Sequence, residues 1–317
     1  MSIALKNGLM CALLVPSMKP HVRDSTSVHI LFLLTFILYI FSEFTMSYTC
    51  PLCDLSLSLN ERTYRCDNAH TFDLAKEGYV NLMPVQHKRS IDPGDNKEMM
   101  QARRRFLEKD YYHPLKYKVA EVCKAYLKNT SHQLLDIGCG EGYYTNEVAT
   151  HLAQQHPDSS TYGLDISKIA IRYAAKRYAN CLFSVASSHR LPFADSGLDA
   201  VLRIYAPCKA EELCRVLKPN GVVITVSPAS RHLYQLREHI YDDVRLHSES
   251  AEQLSGFELV EQLKLSYSMT LHNGDGLDLL QMTPFAWKAT DTLRKTLASS
   301  DPFTCDADFL IRAYRKT

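Results

Sequence analysis

The sequence lacks a dominant charge. Across 317 residues, 36 lysines and arginines face 35 aspartates and glutamates, for a formal net charge of +1. A chain this balanced has no global attraction to a polyanion, so any hold on nucleic acid must come from a local patch. It also lacks an apolar run long enough to cross a bilayer. The strongest, Val28–Phe41, is broken by His29 and Thr35 and falls short of the ~20 residues a spanning helix needs. Lys19, His21 and Arg23 precede it as in a secretory leader, yet no convincing small-residue cleavage site follows. Residues 1–45 are therefore read as a spurious extension, with Met46 the expected start and no membrane partner. Tryptophan is limited to Trp287, which either stacks on RNA or fills the core, with the core the favoured reading. Ten cysteines could build disulfides, but Cys139 lies in a glycine turn and Cys123, Cys181 and Cys214 in helix or strand patterns. Three more have metal spacing, so a reduced, cytoplasmic protein is expected.

What is present centres on Leu135-Asp136-Ile137-Gly138-Cys139-Gly140-Glu141-Gly142. The buried strand Gln133–Ile137 ends in a glycine-rich turn, and a helix follows through Asn146 and Val148. That order places a nucleotide-type ligand at the carboxyl end of a first parallel strand. The glycines are expected to let a ligand reach the backbone. Thr161–Asp165 is a second strand, after which Ser167 caps a helix running to about Tyr178. Asp165 can accept both hydroxyls of a ribose, which suits a nicotinamide dinucleotide or S-adenosylmethionine. The turn favours the second, because Asp136 and Glu141 would repel a pyrophosphate and suit a sulfonium and an ammonium. Cys181–Val185 reads as a third strand, Asp199–Leu202 as a fourth, Ala210–Leu217 as a helix and Val222–Val226 as a fifth strand.

Upstream, Cys50-Pro51-Leu52-Cys53 is followed by Cys66 and His70. Two cysteines on a knuckle and a second Cys/His pair close a tetrahedral zinc site, structural rather than catalytic. So few apolar residues cannot fold without the metal. A turn-rich Asp92–Asn96 follows, then a helical pattern with Arg103, Arg104 and Arg105. With Lys88, Arg89 and Lys97 these form the densest basic stretch. It reads equally as a phosphate-gripping surface or as a solvated helix face paired with Glu98 and Glu108.

The core segments resemble class I S-adenosylmethionine-dependent methyltransferases, including Leu191-Pro192-Phe193 and the turn Lys218-Pro219-Asn220-Gly221. Ser187 stands where that family often has an acid for the adenine amino group, and Asn220 replaces a glycine. Longer segments are more specific: KEGYVNL at Lys76–Leu82, PVQHKRS at Pro84–Ser90, DPGD at Asp92–Asp95, MMQARR at Met99–Arg104, RIYAPCKAEEL at Arg203–Leu213 and LLQMTPFAW at Leu279–Trp287. With the cysteine module they resemble the bacterial 23S rRNA (guanine-N1)-methyltransferases, the Gram-negative branch in particular, from Met46 to the C-terminus.

The resemblance implies an α/β, Rossmann-like class I fold: a mostly parallel seven-stranded sheet with helices on both faces and a small N-terminal zinc domain. It divides the chain into a zinc module at 46–83, a basic linker and helix at 84–114, and the methyltransferase domain at 115–317. It implies structural zinc on Cys50, Cys53, Cys66 and His70. S-adenosylmethionine contacts fall to Tyr112, Gly140, Glu141 and His232, beside Asp136, Gly138, Asp165 and Ser187 from the turn and strand ends. The implied substrate is a guanine in a hairpin loop of 23S rRNA, and a homodimer is left open.

Guanine N1 carries a proton that has to leave before or during methyl transfer, so the site needs geometry and a proton route. His189 and the Asp92–Asp95 loop are the candidate acceptors, and Tyr205 is placed to stack on the base. Cys208 is read as a packing residue. Two other functions compete. A small-molecule methyltransferase leaves the zinc module and basic stretch without purpose. An RNA-binding regulator with a dead cofactor site is disfavoured by intact Asp136, Gly138, Gly140 and Asp165.

Overall fold

In the computed structural model, residues 48–84, 97–127 and 132–317 are described, and they belong to one compact unit. Residues 1–45 and the segment 85–96, with Lys88, Arg89 and Asp92, lie outside the described residues.

The ribbon comes first. Strands β1 (Ser58–Asn60), β2 (Thr63–Arg65) and β3 (Thr71–Asp73) form an antiparallel sheet. Strand β4 (Val80–Asn81) leaves it and pairs in parallel with β7 (Leu182–Val185). Helices α1 (Lys97–Glu108) and α2 (His113–Tyr126) follow. Next come β5 (Gln133–Ile137), α3 (Tyr143–Ala153), β6 (Ser160–Asp165), α4 (Lys168–Arg177) and β7. The chain then runs through β8 (Leu198–Ile204), α5 (Ala210–Val216), β9 (Leu217–Pro228) and α6 (Tyr234–Glu238). It closes with β10 (Phe257–Leu271), α7 (Asp275–Gln281), a 3-10 turn (Pro284–Lys288), α8 (Asp291–Ser299) and β11 (Phe303–Lys316).

The main sheet has the order β10-β11-β9-β8-β5-β6-β7-β4. Its last seven strands in sequence take the class I methyltransferase arrangement: β5 to β9 are parallel, and β11 enters antiparallel beside β9. The eighth strand is β4, contributed by the KEGYVNL segment. Alternation explains the two-sided burial. Leu134, Ala200, Leu202 and Ile224 join one apolar layer, while Leu135, Val201 and Val223 join the opposite one.

The ribbon shares that second layer. Tyr48 sits 5.4 Å from the rings of Tyr64 and Phe193 and 5.7 Å from Tyr162. Thr49 N–H donates to the Pro192 carbonyl (3.0 Å), and Arg190 pairs with Asp54 beside the first knuckle. The ribbon is thus anchored to the main sheet by rings, backbone and charge together. No helix among the described residues is long and apolar enough to cross a membrane.

Local signals are realised where the residues dictate them. Ser167 caps α4 by accepting from Ala170 N–H (3.3 Å), and Asn220 takes the left-handed conformation (φ 63°) that its turn needs. The nine described cysteines are all free. Trp287 corrects an expectation: it is 77% exposed, because the Pro284–Lys288 turn carries it on the surface rather than into the core.

Candidate methyl-donor, zinc and target-base sites

The turn after β5 is pinned to β6 before it reaches any ligand. Gly138 and Cys139 N–H groups both donate to the Leu164 carbonyl, at 2.7 and 3.0 Å. Asp165 then ties the turn from below: one carboxylate oxygen accepts from Gly140 N–H (3.0 Å), the other from Ser167 N–H (2.8 Å). Gly138 and Gly140 have positive φ for different reasons. A side chain at Gly138 would strike Ala206 at 2.7 Å, so its lack of one serves the close approach of the segment after β8. At Gly140 an added Cβ would meet nothing within 4 Å. Only there does the turn open a bay, bounded by Asp165, in which a ligand could lie against the backbone.

The two acids of the turn are placed differently from what their types suggest. Asp136 is 2% exposed and accepts from Thr145 Oγ1 of α3 (2.6 Å). Burial pushes its carboxyl up to about 7, against the Thr145 hydrogen bond that pulls it down. Glu141 is held by Arg104 of α1, with Nε at 2.8 Å and the second nitrogen at 2.5 Å. Arg104 also lies 3.8 Å over the Tyr173 ring. Its neighbour Arg105 grips Asp278 of α7 in the same two-point way, and Arg103 donates to the Met282 carbonyl. All three arginines of the basic stretch thus brace α1 against other elements. Arg104 and Arg105 pair with acids, and Arg103 with a carbonyl, of distant elements, Arg105 staying half exposed, while Glu108 pairs with Arg177 of α4.

An aromatic wall forms the other side of the site, at the carboxyl ends of β8 and β9. Tyr112 is buried, edge-on to Phe106 (5.1 Å) and Phe309 (5.2 Å), with its ring 6.5 Å from His232. His232 lies 4.6 Å from Phe309 and 6.3 Å from Tyr205. Its Nδ1 accepts from the Asp308 backbone N–H (3.3 Å). Burial, assisted by His247 nearby, drives its pKa down to about 3, so the imidazole is neutral at physiological pH. Tyr205 stands at the end of β8 with φ 57° and 52% exposure. Left-handed backbone in a tyrosine is costly and recurs where a side chain is aimed at a ligand. A phenol holds its proton at neutral pH, so Tyr205 is fitted to stack on a base rather than remove a proton.

The remaining candidates scatter. Ser187 follows Ala186, whose N–H donates to the Asp165 carbonyl (3.1 Å), and its Oγ accepts from His189 N–H (3.2 Å). His189 is exposed next to Arg190, at the seam between ribbon and core. Cys208 donates to the Ser188 carbonyl (3.3 Å), and burial raises its thiol to about 11, which fits packing and not nucleophilic attack. Asp92 lies outside the described residues. Sequence reasoning missed His247, whose ring is 6.5 Å from His232 and whose Nε2 is buried without a partner. It also missed Arg104 as the partner of Glu141; the MMQARR segment held that signal without naming the partner.

The metal cluster is closed by geometry. Cys50, Cys53, Cys66 and His70 bring their ligand atoms within 4.8 Å of one another. His70 Nδ1 lies 3.4 Å from Cys50 Sγ, 3.4 Å from Cys53 Sγ and 3.5 Å from Cys66 Sγ, and the last two sulfurs are 3.7 Å apart. These are the edges of a tetrahedron with metal–ligand bonds of about 2.0–2.3 Å, the size for Zn²⁺. Two tight turns build it: Asp54 N–H donates to the Cys50 carbonyl (2.9 Å) and Ala69 N–H to the Cys66 carbonyl (2.8 Å).

Comparison with known proteins adds three findings. Residues 48–91 match the zinc-ribbon family described as RlmA, N-terminal, and residues 128–282 match a methyltransferase domain family. YxjB of Bacillus subtilis strain 168, which carries the name of a 23S rRNA (guanine-N1)-methyltransferase, is 34% identical over 85% of this chain and 97% of its own. The 23S rRNA (guanine(748)-N(1))-methyltransferase of Streptomyces fradiae is 33% identical over 78% of this chain and 89% of its own.

Proposed function

The chain belongs to the 23S rRNA (guanine-N1)-methyltransferase family, and on that premise we propose how its residues divide the work of moving a methyl group from S-adenosylmethionine to N1 of a guanine in 23S rRNA. The bay over Gly140, floored by the Asp165-pinned turn, is the single observation that carries the donor pose. Asp165 and the Gly140 backbone would hold the ribose, Ser187 would border the adenine, and Tyr112 and His232 would wall the methionine end. Asp136 and Glu141 support the turn from below and from α1. The bound donor supplies an electrophilic methyl sulfonium, so no protein nucleophile is required.

Tyr205 stacks on the target guanine and Phe309, Tyr112 and His232 exclude water around it. His232 is neutral, so it adds no positive charge beside a sulfonium. The N1 proton leaves toward His189 or Asp92. The target lies in a hairpin loop, where an unpaired base can be presented to such a pocket. The zinc ribbon is structural and sets the RNA-facing seam at Arg190 and His189. We place the enzyme in the cytoplasm with its rRNA. A homodimer would carry two such sites, which sedimentation of the purified protein reads directly.

Reverse transcription across 23S rRNA from cells with and without this protein tests the reading, because N1-methylguanine cannot pair and stops the polymerase. A protein-dependent stop at one guanine is expected. Identical stops in both RNAs would refute it.

A further inference from the structure

Trp287 is the chain's single tryptophan and stands 77% exposed. The turn that carries it is braced on both sides: Arg103 donates to the Met282 carbonyl (3.3 Å) and Arg294 of α8 to the Ala286 carbonyl (2.5 Å). The indole is thus held outward by a fixed backbone. Leaving so large an apolar ring in water sacrifices burial energy that the fold does not recover.

Its surroundings point to a ligand with π faces and negative charge. Exposed Lys288 follows it in sequence, the ammonium 4.9 Å over the Tyr241 ring, and Tyr241 meets Phe285 edge-on at 6.2 Å. Interior contacts through buried Arg237 and His232 link this turn to Tyr205. Tyr241 N–H donates to the Arg237 carbonyl (2.9 Å), and Arg237 donates to the carbonyls of Arg245 and His232. His232 in turn faces Tyr205. Exposed Asp242 and Asp243 share this strip, so charge alone would grip RNA weakly there. Stacking, which every base permits, has to supply the hold.

We propose that Trp287 stacks on an unpaired nucleotide of the rRNA substrate outside the methylation pocket, with Lys288 meeting the adjoining phosphate, so that the anchored nucleotide determines which guanine reaches Tyr205. The proposal rests on the rRNA methyltransferase reading above. The exposed indole face and the flanking ammonium favour RNA over a second copy of the chain.

Because no other tryptophan exists, intrinsic tryptophan emission reads this one residue. The full-length protein is titrated with a synthetic 23S rRNA hairpin that it methylates. Emission should quench with a midpoint that matches the KM for the hairpin. Trp287→Ala should raise that KM about tenfold, the order of one lost base stack, with kcat and S-adenosylmethionine affinity unchanged. Trp287→Phe should recover most of the loss. Unmoved emission while the wild-type protein methylates the hairpin would overturn this inference and leave the reading beneath it intact. So would an unchanged KM for the alanine variant. A concentration-dependent emission change without RNA, tracking a sedimenting dimer, would assign the indole to a second copy instead. Wild-type protein inert on every rRNA would overturn the reading itself.

Discussion

Arg104 of α1 and Glu141 of the glycine turn, 37 residues apart, close a two-point ion pair at 2.8 and 2.5 Å. Side-chain exposures of 24% and 12% make it a largely shielded pair. Arg177, at 3.9 Å, gives Glu141 little else. Arg104→Ala should therefore destabilise the protein by about 2 kcal/mol, mostly through the carboxylate left behind. A double-mutant cycle with Glu141→Gln, read from urea midpoints, should return a coupling of about 1 kcal/mol or more. Strict additivity would show that helix and turn are not energetically joined.

Asp136 predicts a pH dependence. Its carboxyl stands at about 7 in the fold against 3.8 in the open chain, with burial the cause. Between those values the native protein keeps a proton that the unfolded chain has released. The contribution is full below about pH 4 and is lost as pH rises through about 7. Asp136→Asn keeps an acceptor for Thr145 and cannot ionise. Its stability should be flatter across that window and should exceed the wild type's near pH 8. A variant with the wild-type slope would assign the dependence to other groups.

Asp165 holds two backbone N–H groups and borders the donor bay. Asp165→Ala should lower S-adenosylmethionine affinity by roughly one to two decades, the worth of a hydrogen bond to a charged group. Isothermal titration measures it, and an unchanged dissociation constant would remove Asp165 from the donor site.

Cys66→Ser should release zinc and unravel the ribbon. Tyr48 packs on Tyr162 and Phe193, and β4 extends the sheet beside β7, so the damage should reach the core edge. A loss of a few kcal/mol should lower Tm by several degrees. The donor bay lies on other strands, so S-adenosylmethionine should still bind while rRNA methylation collapses. A metal-free variant that methylates rRNA at the wild-type rate would strip the ribbon of any role in recognition.

The elements legible in the sequence are those specified by near neighbours. Gln133–Ile137 reads as a strand because Leu134, Leu135 and Ile137 lead into a glycine turn, and Ser167 reads as a cap because a helical period starts after it. The Cys50-Cys53-Cys66-His70 cluster is legible because chelation fixes its spacing. What is hidden depends on distant partners. Nothing near Gly138 announces Ala206, nothing near Arg104 announces Glu141, and a two-residue strand such as Val80–Asn81 has no periodicity to read. Trp287 misleads for a related reason: a lone large aromatic suggests core, and only the course of the turn exposes it.

The most direct test is transfer of labelled methyl from S-adenosylmethionine to 23S rRNA by the purified protein, with the product nucleosides resolved by mass spectrometry. The account predicts one labelled nucleoside, N1-methylguanosine, formed from a single guanine of an rRNA hairpin. Label in another base, at another atom of guanine, or only in small metabolites would contradict it.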